Sequence, residues 1–344
     1  MSTDQKFQQH IHVFRAIAII FIVCAHTLPS LDWSAQPILG RVIDAIANES
    51  SIFFFFIAGY LFQHLSTRFQ YKNYLKQKLK TVILPYLILS IPALIIFTLL
   101  THRIGMWSWF YTIPTWQQVV LFILTGKHLT PLWFVPTISL FYIAAPLFVK
   151  IDRDKPAFYW LIVPLLALSI YLGRNGPFGP LEKALYLHPI YMMGMAFCHY
   201  RKQAEQIVLR AWLPLLAITS IGFIGFVLHW TQPPYYLMVM KAPMVLLLTV
   251  ALLKWHHVFG SRLNYIADIS FGIFFIHAYF ISAIKTATVY AIYGKIYTGE
   301  GTTDFAGNWY IFLSYAGFVL LFSTITIWVA QKMLGKRSRF IIGA

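Results

Sequence analysis

Long apolar runs separated by short polar segments dominate the pattern along the chain. Several runs reach about 18 residues or more, the length at which a helix crosses the hydrocarbon core of a bilayer. The pattern predicts ten membrane-spanning helices, at about 11–29, 51–66, 81–101, 131–149, 157–172, 183–199, 211–229, 235–253, 269–292 and 309–331. The chain is therefore expected to be an all-α, polytopic integral membrane protein.

The segments between the predicted spans are mostly short. The stretch 38–47 has an amphipathic pattern and is expected to lie at the membrane interface. The longer connection 102–129 holds an apolar run, 119–124, that is too short to cross a bilayer, so it is expected to be interfacial or re-entrant. We find no segment typical of a soluble domain and no cleavable signal peptide, so residues 1–344 are predicted to form one transmembrane domain.

Composition and charge support this interpretation. The chain is 59% hydrophobic and 11% charged, which excludes an ordinary soluble protein of this length. Its net charge of +16 is distributed as membrane topology requires: 18 lysines and arginines fall on the N-terminal side of the ten spans and seven on the other. The two that remain, Arg15 and Lys241, lie within spans and are counted on neither side, whereas Lys183 and Lys285, toward the outer ends of their spans, are counted among the seven. The termini are therefore predicted to be cytoplasmic, and no nucleic-acid partner is expected.

The positions of the cysteines, histidines and acids indicate neither a disulfide framework nor a metal site. Cys24 and Cys198 both lie in apolar runs, so they are interpreted as small buried residues without a disulfide framework. No cluster of histidines and acids has the spacing of metal ligands, so no metal is predicted.

The first predicted helix carries two polar residues that are unusual for a membrane span. Arg15 and His26 are eleven positions apart, a rotation of about 1100°, or close to three full turns, so they share one face. A charged residue inside a span is costly and usually functional. A snorkelling arginine and a hydrogen-bonded packing histidine are the alternative interpretation for each residue alone. Both on one face favour a functional site.

Several segments together resemble the membrane acyltransferase 3 family, which has ten helices and begins with an arginine, ten residues and a histidine. The resemblance covers nearly the whole chain and rests on the order of its segments. They are Arg15 and His26, the aromatic run Phe53 to Leu61, Leu132-Trp133-Phe134, and Ser270 to His277.

The chain also departs from the family pattern. Ala58 stands where the family has serine, and Phe274 where tyrosine is common. His12 replaces an aspartate that many members have three residues before the arginine. The segment Lys78-Leu79-Lys80-Thr81 is basic but lacks the pair of arginines that many members carry before the third helix.

The resemblance implies an acyl-CoA-dependent O-acyltransferase of a bacterial inner membrane. It implies transfer of an acetyl group from cytoplasmic acetyl-CoA to a hydroxyl of a surface or secreted polysaccharide, or of its lipid-linked precursor. Succinyl instead of acetyl, and a homodimer or a polysaccharide-synthesis complex as the assembly, are left open. Membrane lipid is the expected environment.

The chemistry then assigns roles to individual residues. His26 is the expected general base for the hydroxyl proton, either by direct transfer or through an acetyl-histidine. Arg15 is expected to bind the phosphates of the donor, because guanidinium pairs with phosphate and keeps its charge. Lys78 and Lys80 are expected to assist it, with ordinary positive residues at the cytoplasmic side as the favoured alternative.

Five further residues are weaker candidates. Glu49 or Glu182 is expected to orient His26 or contact the acceptor, with a solvated loop acid as the alternative. Trp133 is a candidate for the sugar pocket, with a residue of the aromatic belt at the membrane interface as the alternative. Arg174 is a candidate contact for an anionic glycan, with a solvated loop charge as the favoured alternative. His277 is interpreted as a hydrogen-bonded packing residue, with a functional role as the alternative.

Two other functions compete with the enzyme. Ten helices with kinking prolines and a buried charge also suit a transporter of glycan or small solutes, although no paired acids suggest a proton relay within the spans. A non-catalytic scaffold in a polysaccharide-synthesis complex predicts that both Arg15 and His26 tolerate substitution.

Overall fold

The structure, a computed structural model, describes residues 3–173, 179–229, 233–259, 261–294 and 305–344. Within these residues the chain forms sixteen α-helices and no β-strand. They are α1 Thr3–Thr27, α2 Pro37–Ala47, α3 Ser51–Leu65, α4 Tyr71–Lys78, α5 Leu84–Ile95, α6 Thr115–Thr125, α7 Phe134–Asp154, α8 Ile162–Leu172, α9 Pro180–His199, α10 Arg201–Arg210, α11 Trp212–Val227, α12 Pro233–Trp255, α13 Ser261–Asp268, α14 Ser270–Tyr293, α15 Trp309–Leu334 and α16 Ser338–Ile341. The all-α prediction is confirmed.

Seven helical segments in the described residues are long and apolar enough to cross a membrane. They are Gln9–Ser30, Pro37–Arg68, Tyr71–Leu100, Thr130–Asp154, Tyr236–Val258, Ser270–Tyr293 and Trp309–Ile341. The pair α10 and α11, bent by 71°, raises the number to eight if it counts as one span. The polytopic prediction is confirmed, whereas the number ten stays a prediction.

The predicted spans 157–172 and 183–199 account for most of the difference. The first corresponds to the apolar segment Pro156–Leu172, which is shorter than the other candidates. The second corresponds to α9, which does not pass the same test of length and composition. Helix α2 matches the predicted amphipathic stretch, and α6, with 11 residues, is too short to span, as expected.

Large apolar side chains cover the outer surfaces of these helices. Leu100 is 75% exposed, Val163 is 66% exposed and Tyr171 is 77% exposed. Contiguous apolar surface of this kind is unfavourable in water and favourable against lipid. The exposed faces therefore agree with a protein embedded in a bilayer.

The chain groups into two compact units, each assembled from segments distant in sequence. The first unit contains Met1–Ile22, Arg41–Tyr74 and Leu140–Asp268. The second unit contains Val23–Gly40, Leu75–Ser139 and Ile269–Ala344. The prediction of one transmembrane domain is not tested by this grouping.

In the first unit, α3 and α9 pack closely and run parallel. A side chain added at Gly59 would overlap the carbonyl oxygen of Tyr191, and one added at Gly194 would overlap that of Phe56. Small residues at such positions let two helix backbones approach, which is a common packing mode between membrane helices. Phe56 and Tyr60 of α3 also contact Phe197 of α9, at ring distances of 6.0 and 6.3 Å.

The C-terminal ends of α3, α7 and α9 meet at one buried carboxylate. Asp152, which is 6% exposed, accepts hydrogen bonds from the Tyr159 hydroxyl at 2.7 Å and from Nε2 of Gln63 at 2.8 Å. Nδ1 of His199 lies 2.9 Å from the same carboxylate. Arg153 covers the nearby end of α3 by donating to the Ser66 carbonyl at 2.9 Å. This network joins three helices that are far apart in sequence.

In the second unit, α14 packs against α15 and against α5. Gly272 lies close to Ile327, where a methyl group would approach the Ile327 side chain to 3.0 Å. The hydroxyl of Tyr315 donates to the Ile281 carbonyl at 3.1 Å, and that of Tyr279 donates to the Leu89 carbonyl. These contacts hold α14, which carries His277, in a defined position.

Candidate active site

His26 lies in the last turn of α1, in the part of the helix that belongs to the second unit. Its side chain is half-buried. Its ring lies 5.3 Å from the ring of His277, measured between centroids, and the two planes differ by 36°. The structure therefore brings together two histidines that are about 250 positions apart in sequence.

His277 is fully buried, with 0% of its surface exposed. Its Nδ1 lies 2.9 Å from the carbonyl oxygen of Ile273, one turn earlier in α14, so Nδ1 carries the proton in the neutral ring. Among the described residues, no group hydrogen-bonds its Nε2. Buried polar atoms nearly always have a partner, and an exception calls for an explanation. The interpretation of His277 as a hydrogen-bonded packing residue holds for Nδ1 and leaves Nε2 unexplained.

Aromatic rings adjoin the pair on the side of His277. Phe274, one turn before His277, lies 6.3 Å from its ring and 5.2 Å from the ring of Phe134. Trp133, the predicted sugar-pocket residue, directly precedes Phe134; the two rings are 6.3 Å apart, and Trp133 is 9% exposed. The segment Leu132-Trp133-Phe134 therefore belongs to the same unit and the same aromatic cluster as His277.

Gly126 explains how the Trp133 segment is held. Its φ of +68° is in the left-handed region, and a Cβ there would lie 2.5 Å from the backbone nitrogen of Trp133 and 2.5 Å from the Leu132 carbonyl oxygen. Only glycine combines this backbone angle with this close approach. The turn after α6 thereby positions the start of α7.

Arg15 lies on α1 as predicted, in the part of the helix that belongs to the first unit, and is half-buried. His12 lies three residues, or about one turn, before Arg15. Its Nδ1 is 3.6 Å from a carboxylate oxygen of Asp268 at the end of α13. The family pattern has an aspartate at the position of His12. An acid thus reaches this position from another part of the chain, which no local pattern in the sequence indicated.

Glu49 is buried in the first unit, where only 8% of it is exposed, with a φ of +54°. Its surroundings include Lys241 of α12, whose electrostatic environment contains both Glu49 and Asp44. Lys241 is 0% exposed and donates from Nζ to the Ile46 carbonyl at 2.5 Å, with Nζ 5.2 Å above the Phe53 ring. The sequence placed Lys241 within a span but gave it no role. That Glu49 orients His26 stays a prediction.

The remaining candidates are dispersed. Lys78 is half-buried and Lys80 exposed, both near the start of the third candidate span. Glu182 lies in the first turn of α9 and is half-buried. Arg174 lies outside the described residues. In the part of the chain that is described, no group of three or more histidine, cysteine, aspartate or glutamate residues could hold a metal ion.

Comparison with known protein families gives one match that covers most of the chain. The family model described as "Acyltransferase domain" matches residues 9–328, which includes both histidines, Arg15 and Trp133. Comparison with curated proteins and with solved structures gave no match. Because the family model covers nearly the whole chain, this protein is a multi-pass membrane member of the acyltransferase 3 family.

Proposed function

We propose that this protein transfers an acetyl group from acetyl-CoA to a hydroxyl of a surface or secreted polysaccharide, or of its lipid-linked precursor, in a bacterial inner membrane. Family membership supports the transfer of an acyl group. The observation that carries the finer proposal is the pair His26 and His277, two imidazoles 5.3 Å apart beside an aromatic cluster. Succinyl in place of acetyl stays open.

His26 is the proposed base. It takes the proton of the acceptor hydroxyl while that oxygen forms a bond to the thioester carbonyl carbon. The carbon–sulfur bond then breaks, and the proton held by His26 goes to the departing sulfur, which leaves as the CoA thiol. The route through an acetyl-His26 is the alternative. Both need an unprotonated ring nitrogen on His26.

Arg15 is the proposed contact for the donor phosphates. A guanidinium keeps its charge in a medium of low dielectric constant and pairs with phosphate through two parallel hydrogen bonds. Arg15 lies on α1, the helix that also carries His26. Lys78 and Lys80 are proposed to add positive charge for the donor, Glu49 to orient His26, and Trp133, Glu182 and Arg174 to contact the acceptor.

The test uses the purified protein in nanodiscs with acetyl-CoA labelled in the acetyl group. Thioester loss and transfer of label to a panel of oligosaccharides are measured together. We expect His26→Ala to lower transfer by about 10²- to 10⁴-fold, the usual contribution of a general base, while donor binding is kept. His257→Ala removes an exposed histidine and is the matched control.

Arg15→Ala is expected to weaken binding of acetyl-CoA, whereas Arg337→Ala, in the exposed C-terminal segment, is expected to leave it unchanged. Normal glycan acylation by His26→Ala at normal protein levels would show that His26 is not the base. A wild-type protein that neither binds nor consumes any acyl-CoA contradicts the proposed reaction.

A transporter is the second candidate function. The observation that favours it is Lys241, fully buried within a candidate span together with Asp44 and Glu49 in its electrostatic surroundings. Ionisable residues inside spans often mark transport pathways. Flux of glycan or small solute into proteoliposomes without acyl-CoA, abolished by Lys241→Met, would support this function over the enzyme.

A further inference from the structure

We propose that His277 is a substrate-binding residue whose Nε2 accepts a hydrogen bond from a second hydroxyl of the acceptor, next to the hydroxyl that His26 deprotonates. The preferred acceptor is therefore a sugar with two neighbouring hydroxyls, a vicinal diol. The inference rests on the proposed function only in stating which of the two hydroxyls reacts.

The first step is the hydrogen-bonding state of His277. Its Nδ1 faces the Ile273 carbonyl at 2.9 Å, and a carbonyl oxygen can only accept. The proton of the neutral ring is therefore on Nδ1, and Nε2 presents a lone pair. Nε2 is also on the edge of the ring that is farther from the backbone of α14, so it points away from its own helix.

The second step is the cost of leaving that lone pair unused. His277 is 0% exposed, and none of the described residues donates to Nε2. Burial of a polar atom without a hydrogen bond costs about 1–3 kcal/mol. A membrane protein keeps such an atom when a ligand or a water supplies the donor. The donor that satisfies Nε2 must be an N–H or O–H group.

The third step is the position of that group. The ring centroids of His277 and His26 are 5.3 Å apart and the ring planes are inclined by 36°, so one small ligand can contact both rings. Neither nitrogen of His277 is bonded to His26, because Nδ1 is taken by Ile273 and Nε2 has no partner in the described part of the chain. With His26 as the proposed base and Nε2 of His277 as an acceptor, the pair matches two adjacent hydroxyl donors on one ligand.

The aromatic surroundings favour a sugar over an ion or a small polar solute. Phe274 lies beside His277, Phe134 contacts Phe274, and Trp133 directly precedes Phe134 in the chain. Aromatic faces pack against the apolar C–H surface of a pyranose ring, while its hydroxyls reach hydrogen-bonding groups at the edge. The second unit thus combines an apolar wall with two nitrogen acceptors.

Binding is tested first, without any reaction. The protein is labelled with ¹⁵N-histidine, placed in nanodiscs, and the Nε2 resonance of His277 is assigned with the His277→Asn variant. cis-1,2-Cyclohexanediol is added as the probe and cyclohexanol as its matched control. We expect an unprotonated Nε2 that shifts in the direction of hydrogen bonding with the diol and much less with cyclohexanol.

An Nε2 that carries a proton without the probe, or one that does not respond to the diol, overturns the inference. The same holds if diol and cyclohexanol give equal shifts, because a bound water or unspecific packing then accounts for the site. This measurement stands even if the protein transfers no acyl group.

The second test measures transfer of the acetyl group by two variants of His277, His277→Asn and His277→Gln. Asparagine keeps a donor near the position of Nδ1 and removes Nε2, whereas glutamine places an amide near the position of Nε2. With labelled acetyl-CoA, methyl hexosides are compared with their analogues lacking the hydroxyl next to the acetylated one. The wild type is expected to prefer the intact sugar by about 10- to 100-fold, since one buried hydrogen bond is at stake.

His277→Asn is expected to bring this preference close to one by slowing transfer to the intact sugar, and His277→Gln to retain part of it. An unchanged preference in folded His277→Asn contradicts the inference while leaving His26 as the base. If the wild type acylates none of the acceptors but the diol still shifts Nε2, the proposed function is wrong and the binding site remains.

Discussion

Lys241 is an ionisable residue that is fully buried within a candidate membrane span. Its amino group donates to the Ile46 carbonyl and is fully buried in the first unit. We expect Lys241→Met to destabilise the protein by about 1.5–3 kcal/mol, because it removes a hydrogen bond from an ionisable donor and leaves the Ile46 carbonyl without that partner. Thermal unfolding in detergent measures the change.

Lys254→Met is the matched control for this substitution. Lys254 lies near the end of the same helix α12 but is exposed, so its replacement is expected to change the unfolding temperature little. Equal unfolding temperatures for the two variants would show that the Lys241 contact contributes nothing to stability.

His128 predicts a dependence of stability on pH. It is buried in the second unit, with Nδ1 3.0 Å from the Phe122 carbonyl and Nε2 2.8 Å from the Ser90 hydroxyl. The pKa of His128 is lowered from 6.5 to about 4, mainly by burial; the hydrogen bond to the Phe122 carbonyl raises it somewhat, and the charge of Arg103 lowers it. The folded protein therefore favours the neutral ring.

The sign follows from proton linkage. Between about pH 6.5 and pH 4 the unfolded chain binds a proton at His128 that the folded protein does not bind, so stability falls as pH falls through this window. His128→Asn is expected to flatten the decrease, measured as unfolding temperature between pH 7 and pH 4.5. His102→Asn, at an exposed histidine, should follow the wild type. An identical pH profile for His128→Asn and the wild type would contradict this.

Among the helices, the C-terminal ends of α3, α7 and α9 depend on Asp152. Asp152→Asn replaces an acceptor of several hydrogen bonds by a group that is half donor, so the contacts with Tyr159, Gln63 and His199 cannot all be kept. We expect a loss of roughly 2–4 kcal/mol, typical of a broken buried network. Thermal unfolding with intrinsic fluorescence reports it.

Asp154→Asn is the comparison for this network. Asp154 ends the same helix two positions later and is exposed, so the same chemical change there is expected to be nearly neutral. Comparable losses for both variants would mean that charge at this end of α7, and not the hydrogen-bond network, is what stabilises the helices.

For the molecule as a whole, the number of spans decides where the termini lie. Ten spans, or eight, place both termini on one side of the membrane, whereas seven place them on opposite sides. The excess of lysine and arginine predicts cytoplasmic termini. Single cysteines at Ser2 and Ala344, in a chain with Cys24 and Cys198 replaced by alanine, are tested with an impermeant thiol reagent on intact cells.

Both positions are expected to resist labelling until the membrane is opened. Labelling of one terminus alone in intact cells would show an odd number of spans and would contradict the topology drawn from the charges. An exposed loop cysteine that labels in intact cells serves as the positive control.

Local patterns in the sequence are sufficient to predict the membrane helices and to identify the family. Apolar runs of sufficient length specify membrane helices, because backbone polar groups in lipid must be satisfied within the segment. The spacing of Arg15 and His26 on one helix follows from helix geometry alone, and α1 runs unbroken through both. The alternation of apolar and polar residues predicts an amphipathic element at the interface over 38–47. The structure confirms that this stretch is helical, as α2 Pro37–Ala47.

The contacts between distant segments were decided only by the tertiary structure. His277 beside His26, Asp268 beside His12 and the Lys241 bond to Ile46 join residues that are 195 to 256 positions apart. Such pairs leave no periodic signal in one sequence, since each depends on which helices pack together and in which rotation. Hydrophobic patterning selects lipid-facing and buried faces, but close packing of particular side chains determines which polar groups meet.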